Sequence, residues 1–138
     1  MRSRRSALIA LAALAAACAP GDPQQAVAEQ FIDRVFVVID QAAARELATG
    51  LAISKLDEEI RLRGDVAIDE TTRQPRVTYD LLERRGAPGD ATVSLVYTLY
   101  VAPDGIDSFT RRLILTMRRV ADGWRVANYT LEAPPDVG

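Results

Sequence analysis

Histidine is absent from this chain of 138 residues. That absence excludes His-ligated metal sites, triads built on imidazole and histidine switches near neutral pH. Cysteine occurs once, at Cys18, so the chain cannot close a disulfide on itself and one thiol is left to explain. Lysine also occurs once, at Lys55; every other basic side chain is Arg, which we read as the mark of a GC-rich genome. The formal net charge is −2, the wrong sign for a nucleic-acid-binding domain. Nor does the apolar run Ala7–Ala17 span a bilayer: it has eleven residues, where a stable transmembrane helix needs ~20. With about half the residues apolar, the length suits one domain with a single core.

What is present at the N-terminus has the three parts of an export signal. Arg2, Arg4 and Arg5 form a positive segment, Ala7–Ala17 the apolar one, and small residues lead to Cys18. Leu14-Ala15-Ala16-Ala17-Cys18 resembles the lipobox of bacterial lipoproteins, with Ala15 where that family prefers Leu. The resemblance implies a signal peptide over residues 1–17, diacylglyceryl and acyl groups on Cys18, and a tether over 18–21. The other reading is a plain secretory signal cut after Ala15 or Ala17. Ser3-Arg4-Arg5-Ser6-Ala7-Leu8 only faintly resembles a twin-arginine signal, since the usual Phe is replaced by Ala7. In Gram-negative lipoproteins Ala19 rather than Asp after the Cys implies the periplasmic face of the outer membrane. Removing three Arg leaves the mature chain three charges more negative than −2, so acyl chains, and not surface charge, would hold it to an anionic membrane. The tether would reach about 10 Å when extended.

Asp22 is a good N-cap, Pro23 suits the first helical position and Gln25 is placed to reach back to the cap. The helix that follows carries Val27, Phe31, Val35 and Val38/Ile39 on one stripe, and Phe36–Ile39 makes its end apolar all round and buried. A second helical piece, Gln41–Thr49, stops at Gly50, and a third, Ile53–Arg63, stops at Gly64. Asp57–Arg61 and Glu59–Arg63 read as ion pairs on its wet side. Val66–Ile68 offers a short strand within a charged connector.

From Arg76 the period becomes two. Val77, Tyr79 and Leu81, then Val93, Leu95, Tyr97, Leu99 and Val101, alternate with more polar residues, with turns at Gly86–Asp90 and Ala102–Asp107. Ser108–Glu132 reads as a hairpin with Asp122 and Gly123 in the loop, both at φ > 0. That register sets Ala121 opposite Trp124, Arg119 opposite Val126, Met117 opposite Asn128 and Leu115 opposite Thr130. Val120, Ile114, Ala127, Tyr129 and Leu131 fall on the other face. Neither face is purely polar, so both should be at least half covered.

Helices followed by a meander define an α+β fold with the helices on one face of a four-stranded antiparallel sheet. A capped first helix, short helices and long strands closing on Asp122-Gly123-Trp124-Arg125-Val126 resemble the nuclear-transport-factor-2-like (cystatin-like cone) superfamily, its small lipoproteins above all. The resemblance covers residues 22–133, one domain, and leaves 134–138 as a tail. It implies a curved sheet around the first helix with a pocket at the open end of a cone, and dimers across the sheet are common in this group.

The candidate pocket residues are Phe31, Val35, Asp40, Tyr79, Tyr97 and Tyr129; Asp122, Gly123 and Trp124 read as turn and core. The superfamily's dehydratases rely on His, which this chain lacks. Its isomerases need a carboxylate base with a Tyr and a neutral carboxylic acid. Asp33, Asp40, Asp80, Tyr79, Tyr97, Tyr100 and Tyr129 could supply the residue types, yet none sits in a motif that transfers a role. Arg84-Arg85, Arg111-Arg112 and Arg118-Arg119 each put one guanidinium on either face of a strand. The expectation is a lipid-anchored envelope protein that binds a small apolar ligand or a protein partner, with an isomerase- or cyclase-like enzyme as the alternative. No cofactor, metal or nucleic acid is expected.

Overall fold

The computed structural model describes residues 22–64, 75–87 and 89–132. The readings of the signal peptide, Cys18, the tether, the Val66–Ile68 strand and the tail 134–138 lie outside the described residues.

Helix α1 spans Pro23–Ile32 and starts as its sequence dictates: Asp22 accepts from the backbone N–H of Gln24 at 3.0 Å and of Gln25 at 3.5 Å, with Pro23 just inside. Gln25 does not reach back to the cap. Its amide donates instead to the Glu29 carboxylate at 2.7 Å, a charged acceptor one turn on. After Ile32 the helix widens into a π-helical turn, Asp33–Val37, closed by the Val38 N–H on the Asp33 carbonyl at 2.8 Å. One extra residue in the turn rotates the apolar stripe. Ala28, Phe31, Ile32 and Val35 are buried, whereas Val38 is 58% exposed, so the expected burial of Phe36–Ile39 on every side does not occur.

Asp40 caps α2, Gln41–Ala44, through the Ala43 N–H at 3.0 Å; a 3-10 turn, Arg45–Leu47, follows. The helix expected to reach Thr49 ends early because the sheet captures the chain. Ala48 forms a parallel bridge with Val126, and the Thr49 N–H donates to the Val126 carbonyl at 2.9 Å. Gly50, at φ +55°, therefore opens the next helix, α3 (Leu51–Arg63), rather than closing the previous one. The ion pairs expected along α3 are replaced by others. Arg61 pairs with Glu58 at 2.6 Å and Asp57 with Arg45 at 2.9 Å, while Glu59 and Arg63 turn to other elements.

Strands β1 (Arg76–Arg85), β2 (Thr92–Ala102), β3 (Phe109–Val120) and β4 (Gly123–Glu132) form one antiparallel meander in chain order. This is the expected α+β arrangement, with the helices packed against the sheet. The last hairpin departs from the expected register. Val120 pairs with Gly123 and Arg119 with Trp124, so the loop is Ala121-Asp122 and only Gly123, at φ +141°, takes a positive φ there. Glycine does so without a Cβ penalty, which explains why the strain falls on it and not on Asp122. Asp122 instead accepts from Arg125 at 3.1 Å.

Ala127 is a bulge: Met117 pairs with Val126 and Thr116 with Asn128, leaving Ala127 unmatched. Leu115 consequently faces Tyr129, not Thr130. The extra residue brings Tyr129 onto the same inner face as Trp124 and Val126, reversing the expected partition. A second irregularity leaves Leu82 unmatched, so that Arg84 points toward α1, where it meets Asp22 and Gln24.

The core lies between this inner face and the helices: Leu95, Tyr97, Leu99, Leu113, Leu115, Met117 and Val126 meet Phe31, Ile32, Ala52 and Leu56. On the outer face Val96 and Ala127 are buried outside the main core, and Ile114 on β3, opposite Val96, is half-buried. No helix of the described residues is long and apolar enough to cross a membrane.

Trp124 is 8% exposed within the core, under the Arg119 guanidinium at 5.2 Å. Trp124→Ala should lower the unfolding free energy by about 3 kcal/mol or more in urea denaturation, the usual cost of removing a buried indole. A change below about 1 kcal/mol would show that the indole is not core packing.

Candidate functional site

The widened end of α1 packs against β1, and beside it lies a cavity of about 430 Å³. Val35, Phe36 and Ile39 wall it on the helical side, and Val77, Leu99, Val101, Phe109 and Leu131 on the sheet side. Its polar groups are Gln41, Glu59 and Arg111. A volume of this order and a mostly apolar lining with a few polar groups are what small-molecule sites have. A separate hollow beside Tyr100 and Ser108 holds about 180 Å³, too small for most metabolites.

Backbone strain marks the same wall. Ile39 sits at φ +58°, the only non-glycine with positive φ among the described residues. For a β-branched side chain that is a true outlier, costing on the order of 1–3 kcal/mol. The surroundings hold it there: the Asp40 N–H donates to the Arg34 carbonyl at 2.7 Å, and Arg63 donates to the Ile39 carbonyl at 3.2 Å.

Of the expected pocket residues, only Val35 lines this cavity. Phe31 and Tyr129 lie in the core, ring centres 5.2 Å apart. Asp40 is a helix cap. Tyr79 and Tyr97 stand edge to face at 5.9 Å, and their hydroxyls reach α1: Tyr79 donates to Asp33 at 2.7 Å, Tyr97 to Glu29 at 3.2 Å. Tyr129 donates to Glu59 at 3.0 Å. Burial foremost, then the facing carboxylate, raises all three tyrosine pKa values well above the ordinary range. Asp80 and Tyr100 are exposed on the sheet's outer side.

Sequence reasoning missed Glu59, Arg111, Phe36 and Ile39 as site residues. Glu59 is spaced to pair with Arg63, and nothing local announces that it instead meets Tyr129, far along the chain. Arg111 carried a usable signal, since it alternates with Leu113 and Leu115 on the inner face of β3. A hydroxyl proton already given to a carboxylate is not available to a developing oxyanion, so the three tyrosines fasten elements together. The arrangement can enclose an apolar body and meet a polar head at its rim.

No family model and no curated protein matches the chain. Among solved structures it is similar to the intermembrane space region of the chloroplast protein ARC6, at 9% identity, covering 84% of this chain and 100% of that one, with a TM-score of 0.49.

The tyrosine network makes a pH prediction. A tyrosine whose native pKa is raised stabilises the fold fully below its unfolded value of ~10, and that contribution is lost as pH rises through the native value. Stability should therefore decline above about pH 10, as the unfolded chain releases protons the native one keeps. Near-ultraviolet absorbance should show most of the tyrosinate signal arriving together with unfolding. A complete signal in a still-folded chain at about pH 11 would contradict the network.

Proposed function

We propose that this protein is a lipid-anchored cell-envelope lipoprotein whose α+β domain binds a small apolar or amphiphilic ligand without transforming it. The cavity under the π-helical turn is the observation that carries the binding reading: its lining is mostly apolar and its volume suits a metabolite. The resemblance to the nuclear-transport-factor-2-like superfamily supports it too, since that group has its pocket at the end of the cone beyond the first helix. Anchoring rests on the Leu14–Cys18 lipobox, and Ala19 favours the periplasmic face of the outer membrane in a Gram-negative cell.

Under this reading α1 acts as a spacer. It begins at Pro23, soon after the lipidated Cys18, and Val35 at the cavity lies twelve residues further on. At 1.5 Å per residue the cavity stands about 18 Å along the helix from its membrane-proximal end. Catalysis of the isomerase kind is less well supported, because the one tyrosine paired with a cavity carboxylate, Tyr129, already donates to it.

Two measurements test the proposal. Cys18→Ser should abolish incorporation of labelled palmitate; continued labelling would refute the anchor. Native mass spectrometry of residues 22–138, exported to a periplasm behind a plain secretory signal, should show a monomer carrying a small molecule. A bare dimer would favour a scaffold role instead.

A further inference from the structure

We infer that the ligand is an amphiphile with a carboxylate head, its chain lying between Phe36, Val101 and Leu131 and its head held by Arg111; this rests on the binding reading above. Arg111 differs from the chain's other inward-facing arginines. Arg84 is held by Asp22 and Gln24, and Arg119 lies over Trp124 beside the tip of the last hairpin. Arg111 is half-buried, lines the cavity and has no carboxylate within 4.0 Å among the described residues. Its guanidinium lies 4.3 Å over the Phe109 ring, and among the described residues its one hydrogen bond runs to the Thr110 carbonyl at 3.2 Å. Stacking holds the fork on the ring while most of its five N–H donors have no partner among the described residues, the arrangement that accepts a carboxylate through two parallel bonds.

The other charged group of the cavity does not compete for this role. The Glu59 carboxylate accepts the Tyr129 hydroxyl, and Tyr129 is fixed in turn by Lys55, which donates to its carbonyl at 2.7 Å. Glu59 thus belongs to the helix–sheet junction and would repel a second anion placed against it, which leaves Arg111 as the place for the head. Gln41 is the remaining polar group of the lining; its amide oxygen accepts from Arg63 at 2.7 Å, and it carries no charge, so Arg111 is the cationic group of this wall.

The test compares decanoate with decanol, ligands of equal chain length differing in the head. Calorimetry would use residues 22–138, exported behind a plain secretory signal and keeping every described residue, at about pH 8, where the carboxylate is ionised. Decanoate should bind more tightly than decanol, and Arg111→Leu should weaken decanoate by about tenfold or more while leaving decanol within about threefold. Arg111→Lys should fall between them, because it keeps the charge and loses the fork; its binding of decanol would also report an intact fold. Equal affinities for the two ligands, or a decanoate affinity untouched by Arg111→Leu, would overturn the assignment while leaving the binding reading standing. Failure of both ligands to bind the unsubstituted chain would overturn both.

Discussion

The seating of α1 on the sheet is the contact from which the remaining geometry follows. A ten-residue helix is too short to persist in water by itself, so its position is set by what it buries. Phe31 and Ile32 are fully enclosed, Phe31 against Tyr129, and these fix how deep the helix lies. Rotation and translation are fixed by a different device. Glu29 and Asp33, one turn apart on the same face, each accept from a tyrosine, Tyr97 on β2 and Tyr79 on β1. Sliding the helix by a turn would leave one hydroxyl half-buried with no partner, which costs more than the bond itself contributes. Apolar burial chooses the face of the helix, and two hydroxyls choose its register.

The two irregularities of the fold are what make that seating possible. Without the bulge at Ala127, Tyr129 would point outward, and Phe31 would lose its aromatic partner and Glu59 its donor. The π-helical turn keeps Val35 in the core and sets Val35, Phe36 and Ile39 together along the cavity wall.

The parts of the fold that were legible in the sequence are those decided locally. Asp22-Pro23 set a helix start, Gly64 a helix end, and the alternation from Val93 to Val101 a strand with a core face; each depends on side chains within a few residues of one another. The departures were decided at a distance. Gln41–Thr49 has a helical composition, but β4 takes Ala48 and Thr49 into its own bonding pattern. Glu59 and Arg63 have ideal helical spacing, yet exposed pairs of that kind contribute only about 0.3–0.5 kcal/mol, less than a buried hydroxyl demands. A single inserted residue at Ala127 reversed the face of everything after it, and a period-two pattern carries no trace of where such a residue sits. The candidate site suffered most from this. Its walls come from segments whose spacing the π-helical turn had shifted, which is why Val35 was found and Phe36 and Ile39 were not.

The cavity is more than a gap left by imperfect packing. Phe36, Val77, Val101 and Phe109 stay half-exposed along its walls, apolar surface that burial would otherwise turn into stability. A strained Ile39 adds its own cost on the same wall, in a conformation that any glycine would relieve. A π-helical turn, itself rare, stands directly before it. Two locally unfavourable backbone features adjoin one apolar volume, while around Phe31, a turn away, every core-facing tyrosine has a partner. A sequence consistent at most of its positions and inconsistent in one cluster marks that cluster as kept for something other than the fold. What the cluster encloses is an apolar space with one stacked guanidinium at its wall, and a bound ligand would restore the contacts that the empty volume lacks.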